Sequence, residues 1–293
     1  LLLLLVSLTT FGYGQEDHVN YEQGNNKYHK FESGKTYHLL ADNVNIRATA
    51  SSKADVLTNL PIGTTVKIEE ISDERLRLHG FKTNWYQVSF KSKDGVNSGY
   101  VWGGLIAEGT ITCASDPSVQ FLYGVASLRT NKETDYPRKK LTLQLRACKN
   151  NKELSRIKIE SKTEIDVFHY IKNYGNKGLD GIVDIIEVGE SQSFCAGYNG
   201  YNMVFWDGEN LIYVRTLTPG GDGGYYSSDD LIFPSDKGGQ KGKVINDQEV
   251  GYDVGETEEA IVESHKRVEY VWTGAELKQT KVLIDKTYDV GDY

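Results

Sequence analysis

The sequence predicts an all-β protein. Its second part is expected to form an antiparallel β domain, a sheet or a sandwich, that is larger than the domain before it. Tyr (19 residues) and Gly (30 residues) are frequent, while Met occurs once and Pro five times, a balance that favours strands and turns over long helices. Short alternating apolar segments are separated by Gly, Asn and Asp turns. A length of 293 residues favours two domains.

The chain begins with the apolar run LLLLLVSLTTFGYG, which ends at small and polar residues. We expect residues 1–14 to be the remainder of a secretory signal peptide, with cleavage before Gln15, because Gly12 and Gly14 fit the peptidase pocket. The run is shorter than the ~20 apolar residues that a membrane-spanning helix needs. The mature chain is therefore expected to have no membrane span and to be exported, to a periplasm or the extracellular space. Residues 15–34 are expected to form a linker.

The next segments alternate with the period of two that a half-buried strand requires. They read VNIR, TTVKIEEI, WYQVSF and GYVW. If Val88 and Val101 point to a core, strand alternation makes Trp85, Tyr100 and Trp102 point outward. The segment ISDERLRLHGFKTN before Trp85 is expected to form a connection longer than a tight hairpin.

This ordered set, from Val44 to Ile106, resembles the bacterial SH3-like (SH3b) domain, and we place the domain at residues 35–108. The resemblance implies a small β-barrel that holds a secreted protein to its ligand. The expected fold is therefore a small SH3-like barrel followed by the larger antiparallel domain at residues 112–293. The expected partner is cell-wall peptidoglycan or an envelope protein.

Trp85, Tyr100 and Trp102 are the candidate ligand-binding residues. Aromatic side chains on an outer face bind a sugar, a peptide stem or a partner segment, because they combine an apolar face with polar edges. Packing of the same residues against the next domain is the alternative, since exposed aromatic patches mark either kind of contact.

The sequence offers no defensible catalytic residue. Cys195 in QSFCAGYNGY lacks the preceding Asp and following Ser-Gly of the cell-wall cysteine peptidases that often accompany SH3b domains, and the only later His is His265. No H-E-x-x-H motif, G-x-S-x-G elbow or phosphate-binding Gly loop occurs. The chain has three cysteines, Cys113, Cys148 and Cys195. An odd number fits either one disulfide with one free thiol or three free thiols. We therefore predict that the protein is not an enzyme.

Residues 112–293 contain repeated short apolar segments, and WDGEN and WTGAE read as hairpin turns. The Gly-rich stretch TPGGDGGYYSSDDLIFPSDKGG is expected to be a long loop. A helix is predicted only for TEEAIVESH, Thr257 to His265, because acidic residues crowd its first turn.

The run NKGLDGIVDIIEVG resembles the calcium-binding repeat of FG-GAP proteins. The resemblance places Asn176, Asp180 and Asp184 at ligand positions and Gly181 at the turn. Calcium prefers six to eight oxygens with several carboxylates, and this set is incomplete. A turn followed by a strand explains the same residues without metal, so we expect no cofactor and keep calcium as the alternative.

The formal charge of −8 argues against nucleic acid or an anionic membrane as a partner, because both select basic patches. Three hypotheses for the function remain. The first is a secreted, non-catalytic binding protein. The second is a cell-wall hydrolase whose catalytic site lies in the C-terminal domain. The third is a structural protein whose SH3b barrel packs within the molecule.

Overall fold

This computed structural model describes residues 28–93, 95–131, 138–161, 167–192, 199–252 and 261–288. The predicted signal peptide, residues 15–27 of the predicted linker and Cys195 lie outside the described residues. The described residues form strands throughout, apart from turns and one 3₁₀ turn, so the all-β prediction is confirmed. They contain no helix with the length and apolar character that a membrane crossing requires.

The first part of the described chain forms a six-stranded antiparallel sheet with the order β1-β4-β5-β6-β2-β3. One face of this sheet encloses a single core to which Val88, Val101 and Phe31 contribute, and we call this unit the barrel. Its strands are β1 (Thr36–His38), β2 (Val44–Arg47), β3 (Val56–Leu60), β4 (Thr65–Leu78), β5 (Phe81–Ser92) and β6 (Gly95–Trp102), followed by the 3₁₀ turn Gly103–Leu105.

The rest of the described chain forms three sheets in which each strand pairs with its neighbours in sequence. The first meander contains β7 (Gly109–Thr112), β8 (Val119–Asn131), β9 (Arg138–Lys149) and β10 (Lys152–Glu160). The second contains β11 (Val167–Asn173), β12 (Asp184–Gln192), β13 (Asn199–Trp206) and β14 (Leu211–Leu217). The third contains β15 (Gly220–Asp222), β16 (Tyr225–Ile232), β17 (Val244–Tyr252), β18 (Ile261–Trp272) and β19 (Leu277–Thr287).

The second meander is buried on both faces. On one face Ile186 and Trp206 join the core that it shares with the first meander. On the other face Ile185 and Phe205 join the core that it shares with the third meander. Successive side chains of a strand point to opposite faces, so adjacent residues enter different cores. The C-terminal part is therefore a stack of three sheets.

The barrel packs on the remaining face of the first meander. Leu40, Ile62 and Ala107 of the barrel form one buried cluster with Leu122 and Cys148 of the meander. Backbone hydrogen bonds support this contact, from Leu128 N–H to His79 C=O (2.8 Å) and from Glu108 N–H to Tyr123 C=O (2.9 Å). The barrel and the three meanders thus follow one another in a single row.

Local structure differs from the sequence prediction at three places. Residues 261–265 of the predicted helix Thr257 to His265 belong to β18, because Ile261 and His265 pair with Tyr252 and Glu249 of β17, and residues 257–260 lie outside the described part. Sheet pairing overrides the weak helical signal. The expected long connection before Trp85 instead extends β4 and β5 to a two-residue turn. The Gly-rich stretch contains β15 and β16.

The two predicted hairpin turns are confirmed. Asp207 N–H donates to Asn210 C=O (3.3 Å) in the turn between β13 and β14. Thr273 N–H donates to Glu276 C=O (3.1 Å) in the turn between β18 and β19. Each turn follows a Trp that packs in a hydrophobic core, Trp206 or Trp272.

A buried histidine lies where the first and second meanders meet the N-terminal segment. The His169 ring is 5.5 Å from the Tyr28 ring and 6.1 Å from the Tyr123 ring. Neither ring nitrogen has a hydrogen-bond partner among the described residues. Burial lowers the pKa of His169 to about 3, because the apolar surroundings disfavour the charged imidazolium.

We expect this histidine to make the fold sensitive to acid. In the unfolded chain His169 takes up a proton below about pH 6.5, whereas in the folded chain it stays neutral down to about pH 3. Its contribution to stability is therefore complete above pH 6.5 and is lost as the pH falls, by up to about 1.4 kcal/mol per pH unit.

His169→Phe should therefore flatten the decrease in unfolding free energy between pH 6.5 and pH 4, as measured by urea unfolding. The exposed His79 in the β4–β5 turn offers a control, and His79→Asn should leave the acid dependence unchanged. An acid dependence in His169→Phe as steep as in the wild type would contradict the assignment.

Candidate ligand-binding face of the barrel

Trp85 and Trp102 are cross-strand neighbours on β5 and β6. Neither belongs to the barrel core that contains Val88 and Val101, in agreement with strand alternation. Their exposed fractions are only 5 % and 4 %, however, so the expectation that they form an exposed aromatic face is wrong. The alternation places them outside the barrel core, but other parts of the chain bury them.

Two neighbours of Trp102 come from separate, earlier parts of the chain. Its indole N–H donates to the Leu76 carbonyl of β4 (3.1 Å). Its ring lies 6.2 Å from the ring of His29, which belongs to the predicted linker. Tyr28, His29 and Phe31 are all buried, so this part of the linker is packed against the barrel. The three aromatic rings in YHKF are a signal that sequence reasoning missed.

Tyr100 differs from the two tryptophans because its side chain is half-buried. It pairs with Arg47 of β2 on one side and with Gln87 of β5 on the other. The same register row continues to Val56 of β3 and Glu70 of β4. Directly paired residues of an antiparallel sheet share a face, so these five side chains form a row across the outside of the barrel. We call them the Tyr100 row.

Arg47 links the Tyr100 row to the neighbouring loop. Its Nη1 donates to the Ala54 carbonyl (2.7 Å), and Ala48 N–H donates to the Asp55 carbonyl (3.0 Å). These bonds close the loop of residues 48–55 beside the row. Leu57 follows the loop and is 56 % exposed, and Val56 within the row is 45 % exposed.

A polar group of side chains lies beside the Tyr100 row. Ser89 Oγ donates to Glu69 Oε1 (2.5 Å), and Lys67 Nζ lies 3.0 Å from Glu69 Oε2. The hydrogen bonds from Ser89 and Lys67 lower the pKa of Glu69. The carboxylate therefore stays charged, and the surface next to Tyr100 carries both signs of charge.

The Tyr100 row thus combines one aromatic ring, one guanidinium and one amide with an exposed apolar edge. An aromatic ring with polar groups around it binds sugar rings and peptide segments through its apolar face and its polar edges. Of the three candidate residues from the sequence, Tyr100 keeps solvent access, whereas Trp85 and Trp102 are covered.

A comparison with protein families matches residues 42–107 to the bacterial SH3 domain. Residues 42–107 form a bacterial SH3 domain. The match begins just before β2 and ends after the 3₁₀ turn, so it includes the whole Tyr100 row and both tryptophans. The segment N-terminal to it and the three meanders lie outside the match. Neither curated proteins nor solved structures give a significant match to this chain.

The three candidate calcium ligands lie in different environments. Asp184 is fully buried, and its carboxylate accepts hydrogen bonds from Ala114 N–H (2.7 Å), Gly175 N–H (2.9 Å) and the Asn173 amide (3.0 Å). Asn176 Oδ1 accepts from Gly178 N–H (3.0 Å) within the turn, and Asp180 is exposed. Among the described residues no three His, Cys, Asp or Glu side chains form a group that could hold a metal ion.

The described cysteines are free and buried at structural positions. Cys148 lies in the contact between the barrel and the first meander, where burial raises the pKa of its thiol to about 11. A thiol with so high a pKa is a poor nucleophile.

His265, the only histidine after Cys195 in the sequence, lies in the third meander. Its Nε2 is 2.7 Å from Asp247 Oδ1.

We expect Trp102→Ala to lower the unfolding free energy by about 3 to 5 kcal/mol, as for a truncated core aromatic. Tyr100→Ala, at a half-buried position on the outer face, should change it by less than about 1 kcal/mol. Urea unfolding of the two variants measures the difference. Equal, small losses in both would show that Trp102 is not buried in solution.

We expect calcium to change the melting temperature only slightly. Asp184→Asn should lower the unfolding free energy by about 1 to 3 kcal/mol with or without calcium, because the bonds from Ala114 and Gly175 lose a charged acceptor. Thermal melts with calcium and with a chelator test both statements. A melting temperature that rises and saturates at micromolar calcium, and no longer does so in Asp180→Ala, would contradict this expectation.

Proposed function

We propose that this is an exported, non-catalytic binding protein whose bacterial SH3 domain holds cell-wall peptidoglycan or an envelope partner. The family match at residues 42–107 carries this proposal. The apolar run at residues 1–14 supports export to a periplasm or the extracellular space. The net charge of −8 favours a partner other than nucleic acid or an anionic membrane.

The Tyr100 row is the part of the domain that we assign to ligand contact. Tyr100, Arg47 and Gln87 remain accessible on the outside of the barrel, and the loop of residues 48–55 borders them. In this proposal the ring of Tyr100 supplies the apolar contact, and Arg47 and Gln87 supply hydrogen bonds. The stacked meanders hold the barrel in a fixed place.

A structural role is the second candidate, and the burial of Trp85 and Trp102 favours it. In that case the SH3 domain packs within the molecule, and the Tyr100 row is ordinary solvated surface. Trp85 and Trp102 are covered in both cases. The binding role and the structural role therefore differ only in whether the Tyr100 row contacts a ligand or solvent.

The mature protein should be retained on purified peptidoglycan, and Tyr100→Ala should weaken retention about tenfold or more, which is the loss of ~1.4 kcal/mol of contact. Tyr225→Ala is the matched control, since Tyr225 is 41 % exposed in the third meander. Circular dichroism confirms that each variant is folded. A dye-release assay on the same material measures hydrolysis.

Each result separates the hypotheses. Failure of the folded wild type to bind peptidoglycan or any envelope fraction would favour the structural role. Release of dye would contradict the assignment as a non-enzyme. Equal retention of wild type and Tyr100→Ala would show that the ligand contact lies outside the Tyr100 row.

Mass analysis of the exported protein should find Gln15 as the first residue.

A further inference from the structure

The segment Tyr28–Phe31 is buried although it lies outside any strand. Tyr28, His29 and Phe31 are 5 %, 1 % and 3 % exposed, while Lys30 between them is exposed. An irregular segment is normally found at the surface, because its backbone polar groups need partners. This one must therefore find its partners in the surrounding side chains.

Side chains of the barrel bind the main chain of this segment. The His29 carbonyl accepts hydrogen bonds from the Tyr86 hydroxyl (2.6 Å) and the Thr83 hydroxyl (3.2 Å). The Phe31 N–H donates to the same Tyr86 oxygen (3.3 Å). The His29 N–H donates to Glu108 Oε1 (2.6 Å). Hydrogen bonds to main-chain groups are one way in which a protein holds a bound peptide.

The side chains of the segment enter different parts of a cleft. The His29 ring lies 5.2 Å from the Phe81 ring, and its Nδ1 is 3.0 Å from Glu108 Oε1. The Tyr28 ring lies 6.1 Å from Phe81 of the barrel and 5.5 Å from His169 of the second meander. The segment thus contacts the barrel and the meanders at once.

Phe31 enters a different apolar site, the barrel core. Its ring lies 4.9 Å from the Tyr37 ring and 5.3 Å from the Tyr86 ring. The two ends of the segment are therefore held in separate apolar sites, and the main-chain bonds lie between them.

The backbone of His29 is also held in an unfavourable conformation. Its φ is 60°, in the left-handed region that residues with a Cβ seldom adopt. Such a conformation persists only when the surroundings fix it. The cleft, and not the local preference of the chain, therefore determines the shape of the segment.

We propose that the cleft lined by Phe81, Tyr86, Trp102 and Glu108 is a peptide-binding site whose ligand is the chain's own segment Tyr28–Phe31. The ligand is a short peptide in which an aromatic residue is followed directly by a histidine. A second aromatic residue lies two positions after that histidine. Its binding joins the barrel to the second meander. Such a site binds the same peptide supplied as a separate molecule once the chain's own segment is absent.

The test uses a variant that begins at Glu32 and a synthetic peptide of residues 26–33, NKYHKFES. Removal of the segment should lower the melting temperature and shift tryptophan emission to the red, as Trp102 loses its cover. The peptide should reverse both changes saturably, whereas a peptide with Gly in place of Tyr28 and His29 should not. An unchanged melting temperature and emission after truncation, or equal effects of the two peptides, would overturn the proposal.

A second measurement on the full chain applies even if the truncated variant does not fold. Tyr86→Phe removes the hydroxyl that binds the His29 carbonyl and the Phe31 N–H and keeps the ring. Hydrogen exchange at the Phe31 amide should become about tenfold faster, the effect of one lost hydrogen bond. Tyr225→Phe, in the distant third meander, is the matched control and should leave this rate unchanged. A rate in Tyr86→Phe equal to that of the wild type would overturn the proposal.

Discussion

The burial of both faces of the second meander is the constraint on which the rest of the structure depends. Ile185 and Ile186 are adjacent in β12 and enter two different cores, as do Phe205 and Trp206 in β13. A sheet that is apolar on both faces is stable only between two other layers, because each exposed face would leave apolar area in water at roughly 25 cal/mol per Å². The first and third meanders supply those layers.

Buried polar groups complement this apolar packing where the first two meanders meet. Glu190 is 1 % exposed and accepts hydrogen bonds from Ser161 Oγ of the first meander (2.5 Å) and from the Asn202 amide of β13 (2.8 Å). Asp184 binds the backbone N–H of Ala114 in the same way. A buried carboxylate is costly without such partners, so these bonds fix how one sheet lies on the other. Apolar packing alone is less directional.

The sequence was sufficient for properties that depend on local pattern. The all-β class, the turns after Trp206 and Trp272, and the placement of Trp85 outside the barrel core all follow from alternation and turn residues. The helix expected up to His265 was wrong, because pairing of β18 with β17 outweighs the acidic residues that suggested it. The Gly-rich stretch before Phe233 was likewise expected to be a loop, although tertiary pairing makes strands of it.

The candidate site could be predicted only in part for the same reason. Strand alternation indicates on which face of the sheet a side chain lies. Its exposure depends on which other segments of the protein pack against that face. Trp102 is covered by a segment far away in sequence, and a pattern within β6 carries no information about it. Tyr100 remains accessible because no such segment of the described chain covers it. The orientation of all three candidates was predictable, and the access of solvent to them was not.

The row of four layers also determines how the molecule opens. The third meander shares a hydrophobic cluster of described residues only with the second meander, whereas the second meander has neighbours on both sides. In stacked architectures each layer is stabilised mainly by its nearest neighbours. Opening of the third meander therefore breaks one interface, while opening of the second breaks two. Local unfolding of the third meander, at the C-terminal end of the row, therefore leaves the barrel and its contact with the first meander in place.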